Sequence, residues 1–252
     1  TRQTLLAALR QQAEKDSASS IQIAYMTEPE WNATETAGFV KSEGNAYVWR
    51  NPGLKSFDDI LATMHSRGRS KIRRERRKVA AEGLTYRTYR GDSLSAELTA
   101  PFFEMYTATY SYNKTELWHN PAYFEQIFTT MPDVQDLTFA YRGDVPVAMQ
   151  LSILSEDTIY AQHWGHSGDI RFLHFELGIY QTVEAAIRDG KTAINFGTTG
   201  QHKAERGIGM EPAYHSLWFR SEEFLDIAAM GIKRKRAAAE KERDEENAPV
   251  SP

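Results

Sequence analysis

The sequence predicts an α+β fold: a mixed, mostly antiparallel sheet with helices on both faces. Three observations carry that expectation. Residues 134–165 switch to a period of two and read as three strands, about 135–141, 145–154 and 158–165, with the turn Arg142-Gly143-Asp144 joining the first two. Around this meander the segments run helix, helix, three strands, helix, strand, loop, strand. No strand is followed by a G-x-G-x-x-G turn entering a helix, which excludes a dinucleotide-binding fold.

The elements follow in order. Residues 2–14 place Leu5, Leu6 and Leu9 on one helical face, 20–26 alternate as a strand, 29–40 hold an acidic helix, and 45–49 form a further strand. This opening piece is too small to bury a core alone, so residues 1–50 are expected to be the tail or remnant of a first domain. Asn51-Pro52-Gly53 marks a turn, and Ser56 caps a helix with Asp59 at its third position. A basic segment follows, Gly83 closes it, and 84–90 alternate as an exposed strand. The next helix spans 93–109, where Pro101 is expected to split it. Asn120 caps another, with Pro121 at its first position. After the meander, a helix from Leu173 to Arg188 ends at Asp189-Gly190, where glycine takes the left-handed position. Residues 192–196 and 212–220 are the remaining strands. The domain proper is thus placed at 51–220. Residues 221–252 are expected to form a C-terminal helix and a flexible tail, disordered beyond about Glu240 because that stretch is charged and poor in large apolar residues.

Composition narrows the function classes. Among 252 residues there is no cysteine, which removes disulfides, thiolate catalysis and cysteine-containing metal sites. Twelve Tyr, twelve Phe and five Trp exceed what a minimal core needs and suit a ligand groove. No stretch approaches the roughly 18 apolar residues of a membrane span. Together with the missing cysteine, this is compatible with a reducing cytoplasm, the expected location.

Four clusters are candidates for chemistry. Arg67 to Lys78, RGRSKIRRERRK, holds eight cations in twelve positions inside a chain of net charge -4. Only Ile72 and Val79 offer it an apolar stripe, so an anion or a carboxylate-lined surface must offset the charge. A solvated face paired with the chain's own acids is the ordinary alternative. At the end of the third meander strand, His163, Trp164 and His166 stand close together. The alternation lets His163 line a cleft, and without cysteine or a helical H-x-x-x-H pair no metal is expected. The segment Leu173 to Gln181 brings His174, Glu176 and Tyr180. Glu176 and Tyr180 share a helical face, and Glu176 either suits the helix dipole or serves an incoming amine. Last, four glycines between 197 and 209 interleave with His202, Lys203 and Arg206, bringing backbone N–H groups and cations near an anion or oxyanion.

The basic RGRSKIRRERR segment, the YAQHWG strand end, the LHFE helix start and the loop GTTGQHKAERG occur in one order from Trp49 to Trp218. In that order they resemble the FemAB-like family of the GNAT superfamily, the branch labelled peptidoglycan biosynthesis or recognition. At the strand end His163 stands where the family commonly has an aromatic residue. The resemblance implies a GNAT-like acyl-CoA N-acyltransferase fold, split so that a donor slips between diverging strands. Relatives also imply a longer N-terminal part, so a missing N-terminal domain or self-association is a further expected partner. The implied activity is transfer of an acyl or aminoacyl group from acyl-CoA or aminoacyl-tRNA, used as co-substrate with no permanently bound cofactor, to an amine.

On that resemblance Glu176 is the expected general base, with His174 second. Arg73, Arg74 and Arg77 are expected to hold donor phosphates or an RNA backbone, and His202, Lys203 and Arg206 to position the carbonyl or phosphate. His163, Trp164, Tyr180 and Gly200 complete the expected donor or substrate site, and Trp49, Phe57 and Tyr106 are the aromatics available to stack on an adenine. The alternative is a catalytically degenerate module that binds RNA or a partner protein through residues 67–78. A scaffold subunit joined through residues 1–50 is a third class.

Overall fold

The computed structural model of the protein describes residues 1–112 and 114–247. In chain order the elements are α1 (Arg2–Lys15), β1 (Ser20–Met26), α2 (Glu28–Glu35), β2 (Val40–Arg50), α3 (Phe57–Thr63), α4 (Ser66–Ala80) and β3 (Thr85–Tyr89). Then come α5 (Thr99–Tyr112), α6 (Pro121–Thr130), β4 (Gln135–Arg142), β5 (Val145–Leu154) and β6 (Thr158–His166). Helix α7 (Leu173–Phe175) runs through a π-helical segment, Glu176–Gln181, into α8 (Thr182–Arg188). The chain closes with β7 (Ala193–Asn195), β8 (Gly209–Phe219) and α9 (Glu222–Asn247).

These elements fall into two compact units. The first gathers residues 1–47, 198–204 and 209–252; the second comprises 48–197 and 205–208. In the second unit β3, β4, β5 and β6 pair antiparallel in sequence order, β6 pairs parallel with β7, and β7 pairs antiparallel with the end of β2. Side-chain alternation along this mixed sheet separates its two faces. Leu137, Phe139, Met149 and Leu151 meet Phe102, Met105 and Tyr106 of α5 and Phe124 and Phe128 of α6. The intervening Ala140 and Ala148 meet Val79 of α4 with Leu173 and Leu177. Small residues there let the second helical layer sit close, and the expected helices on both faces are present.

The β6–β7 pairing is short. It runs only from Thr158↔Ala193 to Tyr160↔Asn195, while β6 continues to His166. A bulge at Gln162 skews the β5–β6 register between Leu151 and Ser152 at the same level. Gly165 is required there: a Cβ at that position would lie 2.7 Å from the Met105 backbone, so α5 approaches β6 only because no side chain intervenes.

In the first unit β1 pairs antiparallel with β8, and Leu6, Ala13, Ile21, Phe39 and Trp218 form the core. Helix α9 packs along β8 and is tied by Arg243 to Glu43 at 2.7 Å and by a reciprocal pair of bonds between Asn247 and the Met210 backbone. The disorder expected beyond Glu240 is therefore corrected: those ties, distant in sequence, carry the helix to Asn247, and the rest of the expected tail lies outside the described residues. Pro101 likewise does not split a helix. It falls in the first turn of α5, where its missing N–H has no intrahelical partner to lose. Among the described residues no helix is long and apolar enough to cross a membrane.

Candidate functional site

The buried stripe of α4 decides how the basic segment is used. Gly68, Ile72, Glu75 and Val79 recur at helical spacing and are all buried. Glu75 is the one acid among eight cations, and at 1% exposure it is as hidden as Ile72. Its carboxylate accepts two bonds from Nη2 of Arg206, both at 2.9 Å, and another from the Tyr180 hydroxyl. The Arg206 guanidinium lies 3.5 Å above the Phe175 ring centroid. Burying these charges is tolerable because each is paired and hydrogen-bonded. Burial, then the bond to Glu75, pushes the Tyr180 phenol well above its ordinary pKa. Tyr180 and Arg206, expected at the donor, are thus engaged internally.

One residue further on, Arg76 bridges two carboxylates. Its Nε and Nη2 donate to Glu176 at 3.1 and 3.0 Å, and Nη1 donates to Glu184 at 2.7 Å. Phe57 covers the guanidinium at 4.7 Å. Burial works against the Arg76 cation, but the bonds to Glu184 and Glu176 overcome it and raise its pKa. Glu176 shows the opposite balance. Burial pushes its carboxyl up, and Arg76, whose charge is shared with Glu184, only partly pulls it back. Burial and the Glu176 charge also push the nearby Tyr86 phenol to about 12.

The π-helical segment revises which residues are neighbours. An i to i+5 turn puts Gln181 beside Glu176, with Nε2 3.4 Å from the carboxylate, and turns Tyr180 toward Glu75. The expected sharing of a face by Glu176 and Tyr180 presumed a regular α-turn.

Beside Arg76 opens a cleft of about 440 Å³, lined by Ser56, Phe57, Asp58, Leu61, Arg73, Arg76, Arg77 and Glu184. Arg73 and Arg77, one turn apart, are exposed, and among the described residues neither has a carboxylate within ion-pair distance. Arg74 points elsewhere, on the row of Arg67, Lys71 and Lys78, and Lys71 there is paired with Glu205.

The strand end divides between the two faces of the sheet. His163 packs against Tyr106 at 5.2 Å and Phe124 at 5.7 Å, and burial, aided by His119, pushes its imidazole down to about 4. Trp164 turns the other way and meets His174 at 5.1 Å. His163 is therefore a neutral residue packed among aromatics and does not line the cleft beside α4. Trp49 and Tyr106 are core residues as well, 6% and 0% exposed, which removes them as stacking platforms; Phe57 alone of the three reaches the cleft.

Gly200, His202 and Lys203 belong to the first unit. Gly200 has φ +103°, and a Cβ there would lie 2.7 Å from the His202 ring. Lys203 donates to the Thr199 carbonyl at 2.6 Å beside the Tyr47 ring, and burial pushes its amine down to about 8. The sequence reading overlooked Glu75, Arg76 and Glu184. For Glu75 a signal existed, since it lies three residues after Ile72 and four before Val79.

A family model named FemAB-like and described as peptidoglycan biosynthesis/recognition matches residues 1–251. Among solved structures, L-PGS from Bacillus licheniformis superposes with a TM-score of 0.63 at 11% identity, covering 92% of this chain and 77% of that one. FemX gives 0.61 at 14% identity, with 90% and 78% covered. The C-terminal domain of a protein assigned as a lysylphosphatidylglycerol synthetase of Agrobacterium fabrum gives 0.63 at 11%, with 89% and 76% covered. At such identities the likeness is one of fold. No curated protein matches the chain.

Proposed function

Because this chain belongs to the FemAB-like family and has its GNAT-like fold, we propose that it is a transferase moving an acyl or aminoacyl group to an amine. The observation that carries this reading is the cleft in which Arg73 and Arg77, without carboxylate partners among the described residues, stand beside the Arg76–Glu176 pair. Two arginines one turn apart suit the phosphates of a donor, either acyl-CoA or the end of an aminoacyl-tRNA. Both donors are cytoplasmic species. The family's description, peptidoglycan biosynthesis/recognition, favours an acceptor in the cell envelope.

In this scheme the acceptor nitrogen attacks the ester or thioester carbonyl. A C–N bond forms, the C–O or C–S bond breaks, and the amine proton passes to a base and on to the leaving group. Glu176 is the proposed base, since its raised pKa brings it nearer to the working pH than an ordinary carboxylate. His174 is the second candidate. Arg76 holds Glu176 in place and reports donor charge to it, because the same guanidinium lines the phosphate cleft.

The test is binding of acyl-CoA, free CoA, charged tRNA and uncharged tRNA to the wild type and to Arg73→Ala/Arg77→Ala. Preference for an acylated donor, lost in the double variant, is the expected result. Equal, salt-sensitive binding of charged and uncharged RNA would replace the enzyme with a backbone-binding module. Glu176→Gln is expected to keep donor binding and lose transfer; full turnover in that variant removes Glu176 from the scheme.

A further inference from the structure

Helix α9 runs for 26 residues yet buries only Ala239. Its inner side, Leu225, Ala228, Ala229, Ile232 and Arg236, is half-buried or tied to the first unit, as by the Arg236–Glu43 pair at 3.5 Å. The outer side of a helix packed this way should be polar. Instead Phe224, Ile227 and Met230 stand 67%, 64% and 65% exposed, with Gly231 on the same face. Three large apolar side chains clustered on one outward face are more than the scattered exposure normal for a monomer.

The charges around that face identify its occupant. Glu222, Glu223 and Asp226 all come before Ile227, and Lys233, Arg234 and Lys235 follow Met230. A helix laid antiparallel on a copy of itself, with the dyad near Ala229, would put each acidic end against the other copy's basic end. Asp226 would then face Lys233 and Glu223 would face Arg234, while Ile227 would sit over Gly231, where no side chain keeps the helices apart. A parallel pair would set like charges together. An anionic lipid surface suits the basic end but would meet Glu222, Glu223 and Asp226 among the apolar residues it must absorb.

We propose that the outward face of α9 docks the same face of α9 from a second copy of this chain, the two helices running antiparallel. A single helix pair of this length lies at the small end of specific interfaces, so the dimer is reversible and concentration-dependent.

Sedimentation of the full chain from low to several hundred micromolar, with and without added salt, tests this. A monomer–dimer equilibrium weakened by salt is expected. Ile227→Glu should weaken it about a hundredfold by placing a charge at the centre of the contact. Asp226→Lys and Lys233→Asp should each weaken it by about threefold to tenfold, and the double exchange should restore it. All three substitutions fall on the solvent side, so the thermal transition of each variant, the double exchange included, serves as the folding control. Monomer at every concentration, a dimer indifferent to Ile227→Glu, or a double exchange that restores nothing would each overturn the proposal. So would co-sedimentation with phosphatidylglycerol vesicles that Ile227→Glu abolishes in a chain that never self-associates.

Discussion

Helices α4 and α9 both carry dense runs of Lys and Arg interrupted by acids, yet they bury opposite kinds of residue. In α4 the apolar stripe faces inward and includes Glu75, which is matched by Arg206 and Tyr180. In α9 the inward side holds only Leu225 and Ile232 beside small or polar residues, and three large apolar side chains, Phe224, Ile227 and Met230, point out. Charge density therefore does not reveal how a helix is used. Both helices find a complementary charge inside the fold, Arg206 for α4 and the buried Glu43 for Arg236 and Arg243 of α9. What separates the two is that Ile72 and Val79 of α4 are buried while Phe224, Ile227 and Met230 of α9 stand exposed.

The contrast is broken most directly at Glu75. Removing its carboxylate takes from the buried Arg206 the acceptor of two hydrogen bonds, so Glu75→Ala should cost about 3–5 kcal/mol in urea unfolding. Removing Glu223 from the outer side of α9 should cost no more than about 0.5 kcal/mol in the monomer. A Glu75→Ala protein of wild-type stability would mean that the buried pair does not form.

Apolar truncation sharpens the same comparison. Ile72→Ala opens a cavity beneath α4 and is expected to lose about 3 kcal/mol, whereas Ile227→Ala on α9 should stay within about 0.5 kcal/mol at concentrations where the chain is monomeric. Equal losses from the two would show that α9 is buried after all.

A third effect lies away from both helices and is of similar size. His163 is held near pKa 4 against an ordinary 6.5, so between those values the unfolded chain binds a proton that the folded chain does not. Its contribution is complete above pH 6.5 and declines as pH falls to about 4, by up to about 3 kcal/mol. Thermal melts from pH 7 to pH 4 should show a fall in stability that His163→Phe flattens. A variant with the wild-type slope would assign the pH dependence to other groups.

The smallest stability effect is expected where function is proposed. Arg73→Ala and Arg77→Ala act on exposed side chains and should move unfolding by about 0.5 kcal/mol or less. A larger loss would mean that these arginines have structural partners in the fold, as Arg76 does, and would count against their reading as donor-phosphate ligands.

Much of this was legible beforehand, and the reason is local. The meander at 135–165, the Ser56 and Asn120 caps and the Gly190 helix stop depend on residues within a few positions of one another. The motif order that resembles the FemAB-like family was likewise visible in the chain alone. The misreadings share the opposite property. Trp49 and Tyr106 look available for stacking until the sheet and α5 enclose them. The tail beyond Glu240 looks unstructured until Glu43, Asn45 and Met210 hold it.

The sequence by itself determined the α+β class, the order of the elements, the family and the position of the basic helix. The class, the order of the elements and the basic helix follow from periodicity, capping and spacing, which are short-range; the family follows from the resemblance of its motifs. Tertiary structure alone decided which cations of that helix remain available. Glu75 meets Tyr180 and Arg206 across 105 and 131 positions, and Arg76 meets Glu176 and Glu184 across 100 and 108. Coulombic pairing acts through space, so nothing in the local pattern distinguishes Arg76, consumed by two carboxylates, from Arg73 and Arg77, left facing the cleft.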